Sequence, residues 1–314
     1  MNFDITCVGL TILDILGKGI EAIPEKGKTA LIDKIRITPA GTAAGPAVMA
    51  ARLGLKTALV GAIGNDDMGS ILEQMLKNQG VDTSFLQKVS DLPTAATILA
   101  VNSEGARPNF HAIGATILLE IDDVRRACIT NSRFVHWGGV GTMLNLDGGA
   151  GAEILKEAKS GGAVITSDFI APMPETLDAL KRVMPHIDYF MPSLDEAMEV
   201  AGTKTPEETA QFFMDLGAGA CIFKMGAEGS LLADGNRQVR IPAFAVDAYD
   251  TTGCGDAYCA GFIAALARGR NVENACKFAS ATASLAATGL GSDAGVIDYA
   301  HTEEAMKTLP TLTV

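Results

Sequence analysis

Residues 250–262 read Asp-Thr-Thr-Gly-Cys-Gly-Asp-Ala-Tyr-Cys-Ala-Gly-Phe, and no other stretch constrains the chain as strongly. Its glycines and small polar residues predict a tight turn, and the apolar run over 257–266 predicts a buried helix directly after it. Such a turn can aim successive backbone N–H groups at one point. The positive end of the helix dipole reinforces them, so the place favours an anion. Asp256 is then out of keeping, because a carboxylate repels a bound phosphate unless it takes the proton of the group attacking that phosphate. The stretch therefore predicts phosphoryl transfer to a hydroxyl group.

The remaining chain predicts an α/β fold. Strands are expected at 5–10, 56–63, 134–137, 163–166, 189–191 and 221–224, with further strand-like segments around 230–241. Helices are expected at 47–53, 70–78, 121–127, 151–159, 174–182, 194–201, 206–215 and 271–287. This alternation predicts a mostly parallel central sheet with helices on both faces. The pattern changes at 29–37, 94–102 and 107–111, which are strand-like with no helix between them. The last two flank Ser103-Glu104-Gly105-Ala106, a hairpin turn. These segments predict a small β-sheet lid, formed from insertions at about 12–38 and 93–113, on a single domain spanning 1–314. Arg107 lies in that lid, where it either faces a ligand or guards a strand edge.

Two phosphate-loop look-alikes fail. Gly27-Lys28-Thr29 resembles the end of a P-loop, but Ala22 replaces the first glycine and a strand-like run follows where a helix is required. Gly138-Gly139-Val140-Gly141 lacks the third glycine of a dinucleotide fingerprint and the acidic residue beyond it.

A net charge of −12 argues against nucleic acid or anionic membrane as a partner. No apolar run reaches membrane-spanning length, and residues 1–4 carry no export pattern, so a cytoplasmic protein is expected. The six cysteines are scattered, which predicts reduced thiols, and the four histidines show no ligand spacing and receive no catalytic role. Asp14 follows the first strand. An aspartate there either closes a turn or, at the carboxyl end of a parallel sheet, receives hydroxyl groups of a polar ligand.

Several stretches together resemble the ribokinase-like, or PfkB, family of carbohydrate kinases over nearly the whole chain. Residues 250–256 resemble its C-terminal signature, Asp-Thr-x-Gly-(Ala or Cys)-Gly-Asp. Residues 40–45, Arg52-Leu53-Gly54 and 60–66 resemble its N-terminal signature, and Gly9 with Asp14 matches a glycine followed five residues later by a sugar-binding aspartate. Residues 192–196 resemble its Asn-x-x-Glu segment near the metal, and 224–229 its strand and turn at the nucleotide edge.

The resemblance implies ATP with Mg²⁺ and transfer of the γ-phosphoryl group to a hydroxyl of a sugar or similar compound. It makes Asp256 the base, and Gly253, Cys254 and Gly255 the donors of anion-hole amides. Asp14, Gly41, Thr42, Gly45 and Arg107 would line the acceptor site, while Lys224, Gly226, Gly229 and Thr252 would lie beside the nucleotide. Glu196 would act near Mg²⁺ through water, and main-chain oxygens near Asp250 and Thr252 would hold K⁺ where a member uses a monovalent cation. Family members often pair through the lid as homodimers. Ala40 replaces the first of two glycines, Ser193 stands where asparagine is usual, and Gly45 replaces a sugar-contacting asparagine, which points to a wider acceptor pocket. Two other readings compete. A nucleoside kinase of the same fold would present an aromatic platform in the lid, where Phe110 is the main aromatic, and a non-catalytic sugar-binding or regulatory protein would not need Asp256, Gly253, Gly255 and Glu196 together.

Overall fold

The computed structural model describes residues 2–103, 105–235 and 237–313; Met1, Glu104, Asn236 and Val314 lie outside the described residues, so the turn expected at 103–106 is described only in part. In chain order the first elements are β1 (Phe3–Val8), β2 (Ile12–Lys18), β3 (Lys34–Ala40), α1 (Ala44–Arg52), β4 (Thr57–Val60), β5 (Ala62–Gly64) and α2 (Asp67–Asn78). Next come β6 (Gln87–Val89), β7 (Ala96–Val101), β8 (Asn109–Ala112), α3 (Asp123–Thr130), β9 (Ser132–Gly138), α4 (Leu144–Asp147), α5 (Ala150–Ser160), β10 (Val164–Asp168) and α6 (Thr176–Val183). The chain continues through β11 (Tyr189–Phe190), α7 (Leu194–Ala201), α8 (Pro206–Asp215), β12 (Ala220–Lys224), β13 (Ser230–Asp234) and β14 (Arg237–Ile241). It closes with α9 (Cys254–Ala267), α10 (Val272–Ala286) and α11 (Tyr299–Thr308).

Eight strands form the main sheet in the order β14-β13-β12-β11-β10-β9-β1-β4, parallel from β4 to β12 and antiparallel at β13 and β14. Its parallel strands are largely buried on both faces and alternate between two cores, while the edge strand β14 is mostly exposed. Ile5 and Cys7 of β1 join Met49, Leu72, Phe262 and Phe278 on one side, while Val8 joins Ile129, Leu155, Leu180 and Phe213 on the other. This is the α/β architecture expected from the sequence, a mostly parallel sheet covered on both faces and accompanied by a smaller sheet. Strand order reverses around β1, which lies between β4 and β9. The carboxyl ends of these strands therefore open onto a crevice at a topological switch point.

Small residues set the packing beside that crevice. α9 is buried along most of its length and crosses α10 closely, since a Cβ added at Gly261 would lie 2.4 Å from Thr282 Oγ1 and 3.0 Å from Ala279 Cα. The expected strand 56–63 divides into β4 and β5 at Gly61, where an added Cβ would come within 2.1 Å of Thr11 Oγ1. The other strands and α-helices absent from the sequence reading are β2, β6, α4 and α11.

The smaller sheet has the order β3-β2-β7-β8, with β2 antiparallel to β3 and parallel to β7. Asp14 thus sits inside a strand rather than on a turn. Register aligns Thr38, Asp14, Thr97 and His111 in one row across all four strands, and Ile37, Ile15, Ile98 and Phe110 in the next. Successive strand residues face opposite sides, so the sheet has a polar row on one face and an apolar row on the other.

A buried ion network ties this sheet to the loop after α10. Asp293, 5% exposed, receives Arg36 Nη2 at 2.7 Å and Arg52 Nη2 at 3.2 Å. Arg36 also donates to the Leu290 carbonyl and Arg52 to the Asp293 carbonyl. Removing Asp293 would leave two partly buried guanidinium groups without a counter-charge. Asp293→Ala is expected to lower stability by about 2–4 kcal/mol, read as a lower urea midpoint with unchanged slope; an unchanged midpoint would contradict this role.

Candidate active site

The turn before α9 is held by one carboxylate. Asp250 Oδ1 accepts from Thr252 N at 3.0 Å and Thr252 Oγ1 at 2.7 Å, and Oδ2 accepts from Gly291 N at 2.8 Å. Gly253 follows at φ 78°, and a Cβ there would lie 2.4 Å from Ser292 Cα, so glycine is required on both conformational and steric grounds. Ser292 Oγ in turn donates to the Pro39 carbonyl at 2.7 Å. The turn, the 288–296 loop and strand β3 are therefore fastened together.

The first α9 amide with a helical partner is Ala257 N, on the Gly253 carbonyl at 2.9 Å, so the amides of Gly255 and Asp256 precede the ladder. The Cys254 amide makes a long bond of 3.3 Å back to the Thr251 carbonyl. Burial pushes the Cys254 thiol up to about 12, so it stays protonated.

Asp256 occupies the first turn of α9 with its carboxylate over the start of α1. A Cβ added at Gly45 would lie 2.3 Å from Asp256 Oδ2 and 2.7 Å from Cγ. The space above Gly45 is filled by this carboxylate and is not the open widening that loss of asparagine suggested. Burial pushes the Asp256 carboxyl up to about 8; the charge of Asp168 and, more weakly, of Asp14 adds to the rise, while Lys224 opposes it.

Asp14 approaches from the small sheet. Burial raises its carboxyl to about 6, against the Thr97 hydroxyl that hydrogen-bonds to it and the charge of Arg107, with Asp250 adding to the rise. Gly41 turns β3 into α1 at φ 97°, where a Cβ would meet the Leu10 carbonyl at 2.5 Å. That carbonyl accepts from Ala43 N at 3.1 Å and Ala44 N at 3.2 Å. Thr42 Oγ1 is buried and has no hydrogen-bond partner within the described residues.

His136 underpins this turn although sequence reasoning gave histidines no role. Its Nε2 donates to the Thr42 carbonyl at 3.0 Å while Nδ1 faces Thr166 Oγ1 at 2.9 Å. Burial, reinforced by Lys224, lowers its pKa to about 3, so the ring is neutral and its tautomer is fixed by the Thr42 carbonyl.

Arg107 reaches from the small sheet to the α9 turn, its Nη1 donating to Thr252 Oγ1 at 3.0 Å and lying 3.9 Å from Asp250 Oδ1. Lys224 ends β12 and is locked to Asp168 at the end of β10, Nζ to Oδ2 2.5 Å. Asp168 is a site residue the sequence reading missed, since nothing local marks it and its partner is 56 positions away. Beyond Lys224, Gly226 at φ 57° opens a short 3₁₀ turn with free space around it. Gly229 at φ 84° packs so closely that a Cβ would lie 2.0 Å from the Ile241 carbonyl.

Glu196 lies in the first turn of α7, and its charge adds to the rise in the Asp168 carboxyl's pKa that burial causes. Its Oε1 accepts from Ala171 N at 3.0 Å and its Oε2 accepts from the Ser193 hydroxyl, while Ser193 Oγ faces Glu196 N at 3.4 Å. Ser193 is thus the N-cap of α7, and its hydroxyl is tied to the Glu196 side chain. Among the described residues no group of three or more His, Cys, Asp or Glu side chains could hold a metal ion by itself.

The closest contact in the site gives a test. Gly45→Ala would force the Asp256 carboxylate aside by an ångström or more, so turnover is expected to fall about 100-fold with the circular dichroism spectrum unchanged. Turnover equal to the parent would contradict the contact.

Comparison with known proteins fits this geometry. The family model for pfkB family carbohydrate kinases matches residues 2–298. Ribokinase of Bacillus subtilis is 30% identical over 302 residues, covering 90% of this chain and 92% of that protein. A nucleoside kinase of Methanothermobacter thermautotrophicus is 27% identical over 305 residues, covering 97% and 94%. The solved structure of Arabidopsis thaliana ribokinase complexed with ribose and ATP superposes with a TM-score of 0.81 at 25% identity, covering 98% of this chain and 99% of that one. Together with the sheet order and the α9 turn, these findings show that the chain belongs to the pfkB family of carbohydrate kinases.

Proposed function

We propose that this protein transfers the γ-phosphoryl group of MgATP to a hydroxyl of a sugar or sugar derivative, with Asp256 as general base. The observation that carries this reading is the convergence of Asp256 with the unpaired amides opening α9 and with Asp14 on the polar face of the small sheet. The Asp256 carboxylate takes the acceptor hydroxyl's proton as the oxygen bonds to Pγ, and the bond from Pγ to the bridging oxygen breaks to leave ADP. The amides of residues 253–256, at the positive end of α9, balance charge on the transferring group. Of these, the Gly255 and Asp256 amides are the better placed, because that of Cys254 already bonds to Thr251.

Asp14 receives acceptor hydroxyls, with Thr42 Oγ1 and the Gly41 turn beside it, and Arg107 closes the small sheet over the α9 turn as a lid on one domain. The 224–229 segment, with Gly226, Gly229 and Thr252, borders the nucleotide. Mg²⁺ arrives with ATP, since both Glu196 oxygens are already engaged and reach a metal through water. K⁺ belongs to the same reading only as an accessory at the main chain near Asp250, where Arg36 and Arg107 already supply positive charge.

The lid favours a sugar over a nucleoside. Phe110 registers with Ile98, in the row beside the one formed by Thr97 and His111, and so faces away from Asp14. The face toward Asp14 carries hydroxyls and an imidazole in place of an aromatic platform. Similarity to a ribokinase complexed with ribose and ATP supports the same choice. An ADP-release screen across sugars, sugar acids, sugar phosphates and nucleosides is expected to respond to a sugar. Response to nucleosides alone would favour the nucleoside kinase, and silence throughout would favour a non-catalytic binding protein. Asp256→Asn should reduce turnover by a factor of about 1,000 or more while ATP still binds; full activity in that variant removes the base assignment.

The outer lid face fits a second copy of this chain. Ile35, Ile37, Ile98 and Phe110 are 67%, 41%, 52% and 61% exposed on contiguous strands. Apolar surface of this extent marks an interface. Light scattering should give a dimer, and Ile98→Lys combined with Phe110→Glu should give a monomer; a monomeric parent would contradict the pairing. All six cysteines are free thiols, which supports a reducing compartment such as the cytoplasm, and no helix among the described residues is long and apolar enough to cross a membrane.

A further inference from the structure

We propose that Lys224, locked to Asp168 beneath the start of α9, is a positioning residue that tunes the charge of the transfer site, favouring the carboxylate form of Asp256 against its acidic neighbours and placing positive charge below the opening amides. This rests on the reading of Asp256 as base and gives Lys224 a task other than bordering the nucleotide. Three contacts support it. Lys224 Nζ lies 2.5 Å from Asp168 Oδ2, with Asp168 buried and Lys224 mostly so. A Cβ added at Gly255 would lie 3.1 Å from Lys224 Nζ, so the ammonium sits directly against the turn that opens α9. Cys259 Sγ, one turn further along α9, is 4.0 Å from Lys224 Nζ and 3.7 Å from Asp168 Oδ2, so the pair is clamped between the sheet ends and the helix.

An ion pair in that position is costly for stability alone. Two charges leave water, and an apolar pair of similar volume would often be as stable or more so. The pair is better explained by what it does to its neighbours. Asp256 is faced by Asp168 from β10, Lys224 from β12, Asp14 from β2 and Cys7 from β1, with Cys254 and Cys259 on its own helix. Burial keeps the three thiols neutral, so the charges that act are two carboxylates and one ammonium. Lys224 is the only cation in that group, and without it three carboxylates would share the crevice. Burial is the largest single influence and opposes its charge, but the acidic groups around it, Asp168 first among them, together raise its pKa, so the ammonium persists throughout the working range of pH.

Asp168 and Lys224 act on Asp256 in opposite directions, which makes the proposal separable from a structural one. The test is a ¹³C titration of the Asp256 side-chain carboxyl, assigned with Asp256→Asn, in the ligand-free parent, in Asp168→Asn and in Asp168→Asn/Lys224→Met. The double variant removes both charges, so no unpaired buried carboxylate is left behind. Asp168→Asn should titrate below the parent, and the double variant should titrate above Asp168→Asn by about one pH unit or more. Coincident titration of the two variants, or no downward move in Asp168→Asn, would overturn the role. In a parallel assay with MgATP and D-ribose, the pH of half-maximal ADP release should follow the same order, while a shift confined to the KM for ATP would point to nucleotide contact alone. A parent that releases no ADP with any acceptor would count against the kinase reading, whereas the titration order would still decide the role of the pair.

Discussion

The structure depends on how the first turn of α9 is held. A helix that begins inside a protein leaves several amides without helical partners, and burying them unsatisfied is costly. Here the turn is set by the Asp250 carboxylate, which binds Thr252 twice and the Gly291 amide once, and by Gly253 in a left-handed conformation against Ser292. That arrangement leaves the Gly255 and Asp256 amides ahead of the helical ladder, near the carboxyl ends of the parallel strands. It also dictates the neighbouring composition. Gly45 must lack a side chain because Asp256 lies over it, and Gly261 because α10 crosses there.

A second constraint is the register of the small sheet. Fixing Asp14 opposite Thr38 and Thr97 turns every hydroxyl and imidazole of that row toward the crevice and every isoleucine of the next row outward. One strand slip would exchange the two faces. The sheet is joined to the α9 turn through Ser292, Asp293 and Arg107, so the positions of the small sheet and of that turn are mechanically linked. On the proposed reading, acceptor binding and charge stabilisation share one scaffold.

Much of this was legible in the sequence because its cause is local. The turn and helix at 250–262 announce themselves through glycine spacing, and the alternating strands and helices from residue 121 onward through period and length. β2 was not legible, since Gly9 and Gly17 flank a short run that reads equally as a turn, and its partners β3 and β7 come from distant segments. Nor was the Lys224–Asp168 pair, or the grip of Arg36 and Arg52 on Asp293 across more than 240 positions in the second case. Ser193 stands in sequence where asparagine is usual; in the structure it caps α7 and its hydroxyl donates to Glu196. Gly45 looked like an opening and proved to be a close contact, a distinction that needs coordinates.

The central claim is that an Asp256 carboxylate, raised by burial to about 8, must be ionised for transfer to occur. The most direct measurement is kcat/KM for the acceptor against pH, at saturating MgATP. Below the pKa the ionised fraction rises about tenfold per pH unit, so the profile should climb with unit slope and level off near pH 8. A profile flat from about pH 6 to 9 would contradict the account, because turnover would then be independent of the charge on Asp256.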